Sequence, residues 1–155
     1  MMEMETDRRG FTVMEIFIVI VVLCTLAAIV VPRISQAKAE GKLSDMVSRL
    51  QMVRSQMELY KVQHGDLLPG QEFIAGDITE ARFITTMTRK NTIDGYGPYF
   101  KKMPENPFII GEAADDITCV NDTNAVPTGT EGTGWWLNAA TGQFRACDSQ
   151  FHTAY

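Results

Sequence analysis

The sequence predicts an α+β protein: one long N-terminal helix, apolar in its first half and amphipathic in its second, packed on a small antiparallel β-sheet. Three observations carry that expectation. Residues 16–31 form a run of 16 without a charge. Beyond Pro32, apolar residues recur at helical spacing as far as Tyr60. The last third of the chain holds short apolar stretches separated by Gly, Pro, Asn and Asp, the pattern of short strands and turns.

With 155 residues the chain has room for one folded domain plus a special segment. Positions 65–155 leave only 91 residues for a globular part, a small core that gains from a backing helix. The net charge is −5, with 14 Lys and Arg. Non-specific nucleic-acid binding needs many cations against phosphates, so that partner is unexpected.

The first element is polar. Residues 1–10 end in Arg8, Arg9 and Gly10, and the apolar stretch begins abruptly at Phe11. Paired arginines beside an apolar segment hold that end in the cytoplasm. The rest of the chain then lies on the far side. Residues 11–31, at about 1.5 Å each, reach roughly 31 Å, the thickness of one bilayer core. Glu15 stands inside this stretch. An acid at the centre of a membrane helix costs about 2.5–3.5 kcal/mol, less near the interface. A cleavable signal peptide has no use for it. Were the chain cut after Gly10, Phe11 would carry a new α-amino group. That amine and the Glu15 carboxylate of a neighbouring helix would neutralise each other inside a bundle. The competing reading is an interfacial glutamate with no partner.

The order Arg8-Arg9-Gly10-Phe11-Thr12-Val13-Met14-Glu15, followed by an apolar helix, resembles the N-terminal signature of type IV prepilins and pseudopilins. The resemblance implies a type IV pilin-like fold. It implies cleavage by prepilin peptidase between Gly10 and Phe11, N-methylation of Phe11, and an assembly role for Glu15. The expected divisions are 1–10 prepilin leader, 11–31 transmembrane and assembly helix, 32–64 amphipathic continuation, and 65–155 small C-terminal globular domain.

Other processing routes meet weaker support. Arg8-Arg9 also resembles a twin-arginine export signal, but such segments are only moderately apolar. Thr25-Leu26-Ala27 offers a signal-peptidase site. Leu23-Cys24 lacks the small residue that precedes a lipoprotein cysteine.

The helix is expected to continue past Pro32, which removes one backbone hydrogen bond and kinks rather than ends it. Leu43, Met46, Leu50, Val53, Met57 and Tyr60 are spaced alternately three and four apart, a single apolar stripe. A helix from Phe11 to about Gln63 is roughly 80 Å long, the shape of a stalk. The pilin resemblance extends here: many members carry a proline at this point of the first helix, and an earlier glycine where this chain has Cys24.

His64-Gly65 ends the helix by glycine capping, with His64 at its C-terminus. Asp77-Ile78-Thr79-Glu80 reads as a capping box that opens a short helix to about Lys90. Pro104 and Pro107 keep the 99–108 stretch out of a central strand. Strands are expected near 117–120, 134–137 and 143–147, with 138–142 as a hairpin loop. Trp135 and Trp136 adjoin it, one facing the core and one facing outward. Tyr99-Phe100, the 104–108 stretch and the 134–142 stretch look like proteins related to the major pseudopilin of type II secretion.

Cys119 and Cys147, two cysteines in an exported domain, suggest a disulfide; two free buried thiols are the alternative. Little else carries chemistry. The two histidines, His64 and His152, have no ligand partner at metal-binding spacing. No nucleophile elbow, Walker loop or dinucleotide fingerprint is present. No catalytic residue, resident metal or cofactor is therefore expected. Some related pseudopilins bind calcium in a C-terminal loop, and the acidic stretch with Glu112, Asp115, Asp116 and Asp122 could supply oxygen ligands. They match no EF-hand spacing, and a solvated loop is the plainer reading.

The sequence thus leads to a non-enzymatic filament subunit of a type IV pilus or type II secretion pseudopilus. Its expected place is the cytoplasmic (inner) membrane, single-pass, with the C-terminal domain outside the cytoplasm. Its expected partners are copies of itself, other pilin-like subunits, prepilin peptidase, an inner-membrane assembly platform and membrane lipid. The competing class is a membrane-tethered or secreted binding module that does not polymerise.

Overall fold

The structure, a computed structural model, describes residues 11–74 and 76–155, without the side chains of 30–35. In order it contains α1 (Val13–Gln63), α2 (Glu80–Thr88), a single 3-10 turn (Glu112–Ala114), β1 (Ile117–Val120), β2 (Trp135–Asn138) and β3 (Phe144–Ala146). The chain divides into two compact units, one through Glu40 and one from Gly41 to Tyr155.

In the first unit α1 starts where the sequence supplies an N-cap. The Glu15 amide donates to Thr12 Oγ1 at 3.2 Å and to the Thr12 carbonyl at 3.1 Å. Every described side chain from Phe11 to Ile29 is exposed. Among the described residues no helix is long and apolar enough to cross a membrane. Positions 30 and 31 of the expected span lie outside the described side chains.

In the second unit the helical stripe does what its spacing predicts. Met46, Leu50, Val53, Met57 and Tyr60 are buried, with Leu43 half-buried beside them. They join Phe83 and Met87 of α2 with Ile117, Trp135, Leu137, Phe144 and Ala146 of the sheet in one core. At the end of α1, the Asp66 amide reaches back to the Lys61 carbonyl at 2.9 Å. That closing bond requires a left-handed residue, and Gly65 supplies it with φ +63°.

α2 begins later than the capping-box reading placed it. Thr79, not Asp77, is the N-cap, and its side chain accepts from the Arg82 amide. Glu80 is thereby the first helical residue. Its carboxylate accepts the Ile117 amide of β1 at 2.7 Å instead of reaching back to its own helix.

The sheet differs from the expected antiparallel one. Its order is β1-β2-β3, with β1 parallel to β2 and only β2–β3 antiparallel. Connection length explains this. Residues 139–143 make a tight hairpin, whereas residues 121–134 are long enough for a crossover that brings β2 back in the direction of β1.

Trp135 and Trp136 are both buried, which corrects the expectation that one faces out. Trp135 lies in the core and its indole N–H donates to the Pro104 carbonyl at 2.7 Å. Trp136 faces the other way, between its cross-strand partners Thr118 and Arg145. Thr118 bonds Thr133 of the long connection, and Arg145 donates to the Thr153 carbonyl of the C-terminal segment. A second layer therefore reaches over the face that the alternation rule assigns to water.

Buried Asn106 ties that layer together. Its amide nitrogen donates to the Gly134 carbonyl and to Asp148 Oδ1, both at 2.9 Å. Its backbone N–H donates to the Ala114 carbonyl at 2.7 Å.

Candidate functional site

Of the two residues flanking the expected cleavage point, Gly10 lies outside the described residues. Phe11 is 77% exposed and precedes α1 directly. Glu15 is the third residue of α1, exposed, in the first turn. A carboxylate there sits at the positive end of the helix macrodipole, a few tenths of a kcal/mol to about 1 kcal/mol in its favour. Thr12-Val13-Met14-Glu15 has the spacing of a capping box, a local signal that the sequence reading passed over.

Phe11, Glu15, Ile16, Val19 and Ile20 border one shallow apolar hollow of about 310 Å³ on the helix surface. The Glu15 carboxylate thus stands beside an exposed apolar surface. Large exposed apolar patches mark protein–protein or membrane contact. The arrangement offers burial of apolar area and one charge to be neutralised.

Cys119 and Cys147 do not form the expected disulfide; both are free thiols. Cys119 is paired with Leu137 on β1, while Cys147 follows β3, so β2 lies between them. Two strand spacings are about 9.6 Å, beyond the roughly 7 Å that a disulfide tolerates between Cα atoms. Burial pushes each thiol up to about 11. Cys147 Sγ lies 3.3 Å from the Thr133 and Trp135 carbonyls and serves as a buried donor. Cys24 is exposed on α1.

Two of the four acidic side chains considered for calcium, Asp115 and Asp122, are engaged separately. Asp115 pairs with Lys102 at 3.3 Å, and Asp122 Oδ1 accepts the Asn124 amide at 2.9 Å. Among the described residues no three His, Cys, Asp or Glu side chains converge on a point. Glu131, absent from the sequence reading, organises the same connection. Burial alone would raise its carboxyl, but the Thr128 and Thr130 amides and the Thr128 hydroxyl donate to it and hold it below the usual range.

His64 stands at the end of α1, as its position predicts, with Nδ1 on the Tyr60 carbonyl at 2.9 Å. Its other neighbours are distant in the chain or unmarked by any local pattern. Its ring stacks on Tyr60 at 3.9 Å, and Nε2 meets Asp94 Oδ2 at 3.1 Å. Burial, then the nearby Asp94, raises the Tyr60 phenol above its ordinary value.

Comparison with known proteins bears on about two thirds of the chain. It is 31% identical over 105 residues to the type II secretion system core protein G of Dickeya chrysanthemi, covering 68% of this chain and 66% of that protein. The protein of the same name from Pectobacterium carotovorum subsp. carotovorum is 28% identical over 101 residues, or 65% of this chain and 62% of that one. That of Escherichia coli strain K12 is 27% identical over 104 residues, with 66% and 69% covered.

The chain belongs to the pseudopilin family.

This pseudopilin spans about two thirds of the length of the curated relatives it matches. No family model and no solved structure matches it. The pseudopilin has the α+β architecture read from its sequence, a long helix and a three-stranded sheet, with the sheet mixed rather than antiparallel.

Proposed function

We propose that this pseudopilin is a structural, non-enzymatic subunit of a type II secretion pseudopilus. It is cut by prepilin peptidase between Gly10 and Phe11, N-methylated on Phe11, and assembled through its first helix. The observation that carries the reading is the exposed apolar surface from Phe11 through Ile29 of α1, with Glu15 as its one charge.

Residues 11–31 hold the uncut and cut chain in the inner membrane, with Arg8 and Arg9 on the cytoplasmic side. During assembly at an inner-membrane platform the helix leaves lipid for a bundle of like helices, its own copies and other pilin-like subunits. The Glu15 carboxylate then meets the Phe11 amine of the adjacent subunit and fixes the axial register. A wrong register leaves two charges buried and unpaired, at a cost of several kcal/mol.

Mass spectrometry of the subunit extracted from membranes tests the processing step. The reading expects a mature chain that starts at N-methylated Phe11, and uncut precursor when Gly10 is replaced by a bulky residue. A chain that starts at Ala28, or an intact leader in cells with active prepilin peptidase, contradicts it.

A further inference from the structure

Both ring nitrogens of His64 face oxygens that can only accept. Nδ1 is 2.9 Å from the Tyr60 carbonyl and Nε2 is 3.1 Å from Asp94 Oδ2. The carbonyl has no proton to give. Asp94 already takes two other donors: Asn91 Nδ2 at 2.6 Å on Oδ2 and the Tyr96 amide at 3.1 Å on Oδ1. Each oxygen of the Asp94 carboxyl therefore already accepts one hydrogen bond. A neutral imidazole carries one N–H and one lone pair, so it satisfies one of its two oxygens and turns the lone pair on the other. Only a ring with a proton on each nitrogen bridges the two.

What the ring bridges is specific. Tyr60 belongs to the last turn of α1, and Asp94 to the loop after α2. That loop is internally closed, with the Asn91 amide on the Tyr96 carbonyl at 2.8 Å and the Gly95 amide on the Asn91 carbonyl at 3.1 Å. Its far end is pinned to α2, where the Tyr99 and Phe100 amides share the Met87 carbonyl at 2.8 and 3.0 Å. Between these fixed points the loop forms one wall of a cavity of about 320 Å³, bordered by Tyr60, His64, Arg89, Asn91, Tyr96 and Tyr99.

The charged and titratable groups around the ring come from three elements. On and just after α1 are Tyr60, Lys61, which is paired with Glu58 at 3.2 Å, and Asp66. The loop supplies Asp94, Tyr96 edge-on at 5.4 Å, and Tyr99, whose hydroxyl bonds Gln63. Arg89 and Lys90, at the end of α2, border the same cavity.

We propose that His64 is a proton-dependent latch between the end of α1 and the 91–96 loop. With a proton on each nitrogen it clamps the two together. When the Nε2 proton leaves to solvent, its lone pair meets Asp94, the tie between the end of α1 and the loop breaks, and the wall of the cavity is released. No covalent bond changes.

Nuclear magnetic resonance on the full chain in detergent tests this. The chain has 2 histidines, so His152→Gln assigns the His64 ring. At about pH 5 both His64 ring nitrogens should show the protonated signature. Amide protection at Gly95 and Tyr96 should be roughly tenfold higher there than at about pH 8, the worth of one charge-assisted bond. His64→Gln and Asp94→Asn should each flatten that dependence, while the Met87-bound amides of Tyr99 and Phe100 stay protected. Asp94→Asn leaves the histidine in place and covers the case in which His64→Gln does not fold. A neutral single-tautomer ring at about pH 5, or equal Gly95 and Tyr96 protection at both pH values in the unaltered chain, overturns the latch.

Discussion

Cys119 and Cys147 occupy opposite outer edges of the three-stranded sheet and face opposite sides of it. Cys119 stands in register with Leu137 and Phe144, both core residues. Cys147 follows Ala146, which is itself in the core, so strand alternation turns its side chain toward the second layer, where it meets Thr133. The pair expected of two cysteines in an exported domain is thus separated by a strand and by the sheet itself.

The thiols should behave accordingly. Without reductant, both should resist alkylation in the folded chain and react in urea, Cys24 aside. Each folded value is about 11 against an ordinary 9.0, because burial favours the neutral form. The stability this gives is complete below about pH 9 and is lost as pH rises toward 11. The urea midpoint should therefore fall between pH 8 and pH 10 by more in the unaltered chain than in a Cys119→Ala, Cys147→Ala double variant. Labelling in urea only after reduction would restore the disulfide.

Trp136 tests the second layer. On a solvent face its removal would cost little. Buried between Thr118 and Arg145 as it is, Trp136→Ala should cost about 3–5 kcal/mol, as much as Phe83→Ala in the core. Chemical denaturation of the two variants side by side checks this.

The open edges of the sheet are capped by charges. Glu80 takes the Ile117 amide, and Arg54 donates to the Phe144 carbonyl from Nε at 2.9 Å and Nη2 at 2.7 Å. Glu80→Ala should cost about 1–3 kcal/mol, the penalty of an orphaned amide, and Glu80→Gln, which keeps an acceptor, clearly less. Equal losses would show that the contact is incidental.

Close approach makes Gly134 irreplaceable where Gly95 is merely strained. A Cβ on Gly134 would lie 2.1 Å from the Ala114 carbonyl oxygen, part of the same backbone that Asn106 grips. At Gly95 it would meet open space, and only the φ of +80° resists substitution. Gly134→Ala should abolish folding or cost several times the roughly 1 kcal/mol expected of Gly95→Ala. Thermal melts of the two variants distinguish them.

Local rules read α1 and its stripe well, because burial of Met46 through Tyr60 follows directly from helical periodicity. The β1 span was legible, and the hairpin expected at 138–142 falls one residue later, at 139–143, because alternation and turn residues are short-range. What was not legible depends on distant segments. The direction of β2 is set by the 121–134 crossover, the burial of Trp136 by Thr133 and Thr153, and the role of the Glu80 carboxylate by the distant Ile117 amide that donates to it. Glu15 was legible as an anomaly, an acid in an apolar stretch. Its partnership with Thr12 needed the capping-box spacing to be noticed. The His64–Asp94 contact joins positions 30 apart and left no pattern in the chain.

The central claim is that Glu15 directs assembly, and the Glu15→Leu subunit tests it most directly. Leucine removes the charge and leaves the apolar surface, so membrane insertion should persist or improve. The lost first-turn carboxylate costs the helix only a few tenths of a kcal/mol to about 1 kcal/mol. The measurement is electron microscopy of filaments beside an immunoblot for cut subunit in the same cells. The account predicts processed subunit at normal levels with filaments sharply reduced. Normal filaments at normal subunit levels would contradict it and leave Glu15 as an interfacial residue, and uncut precursor would move its role to recognition by the peptidase.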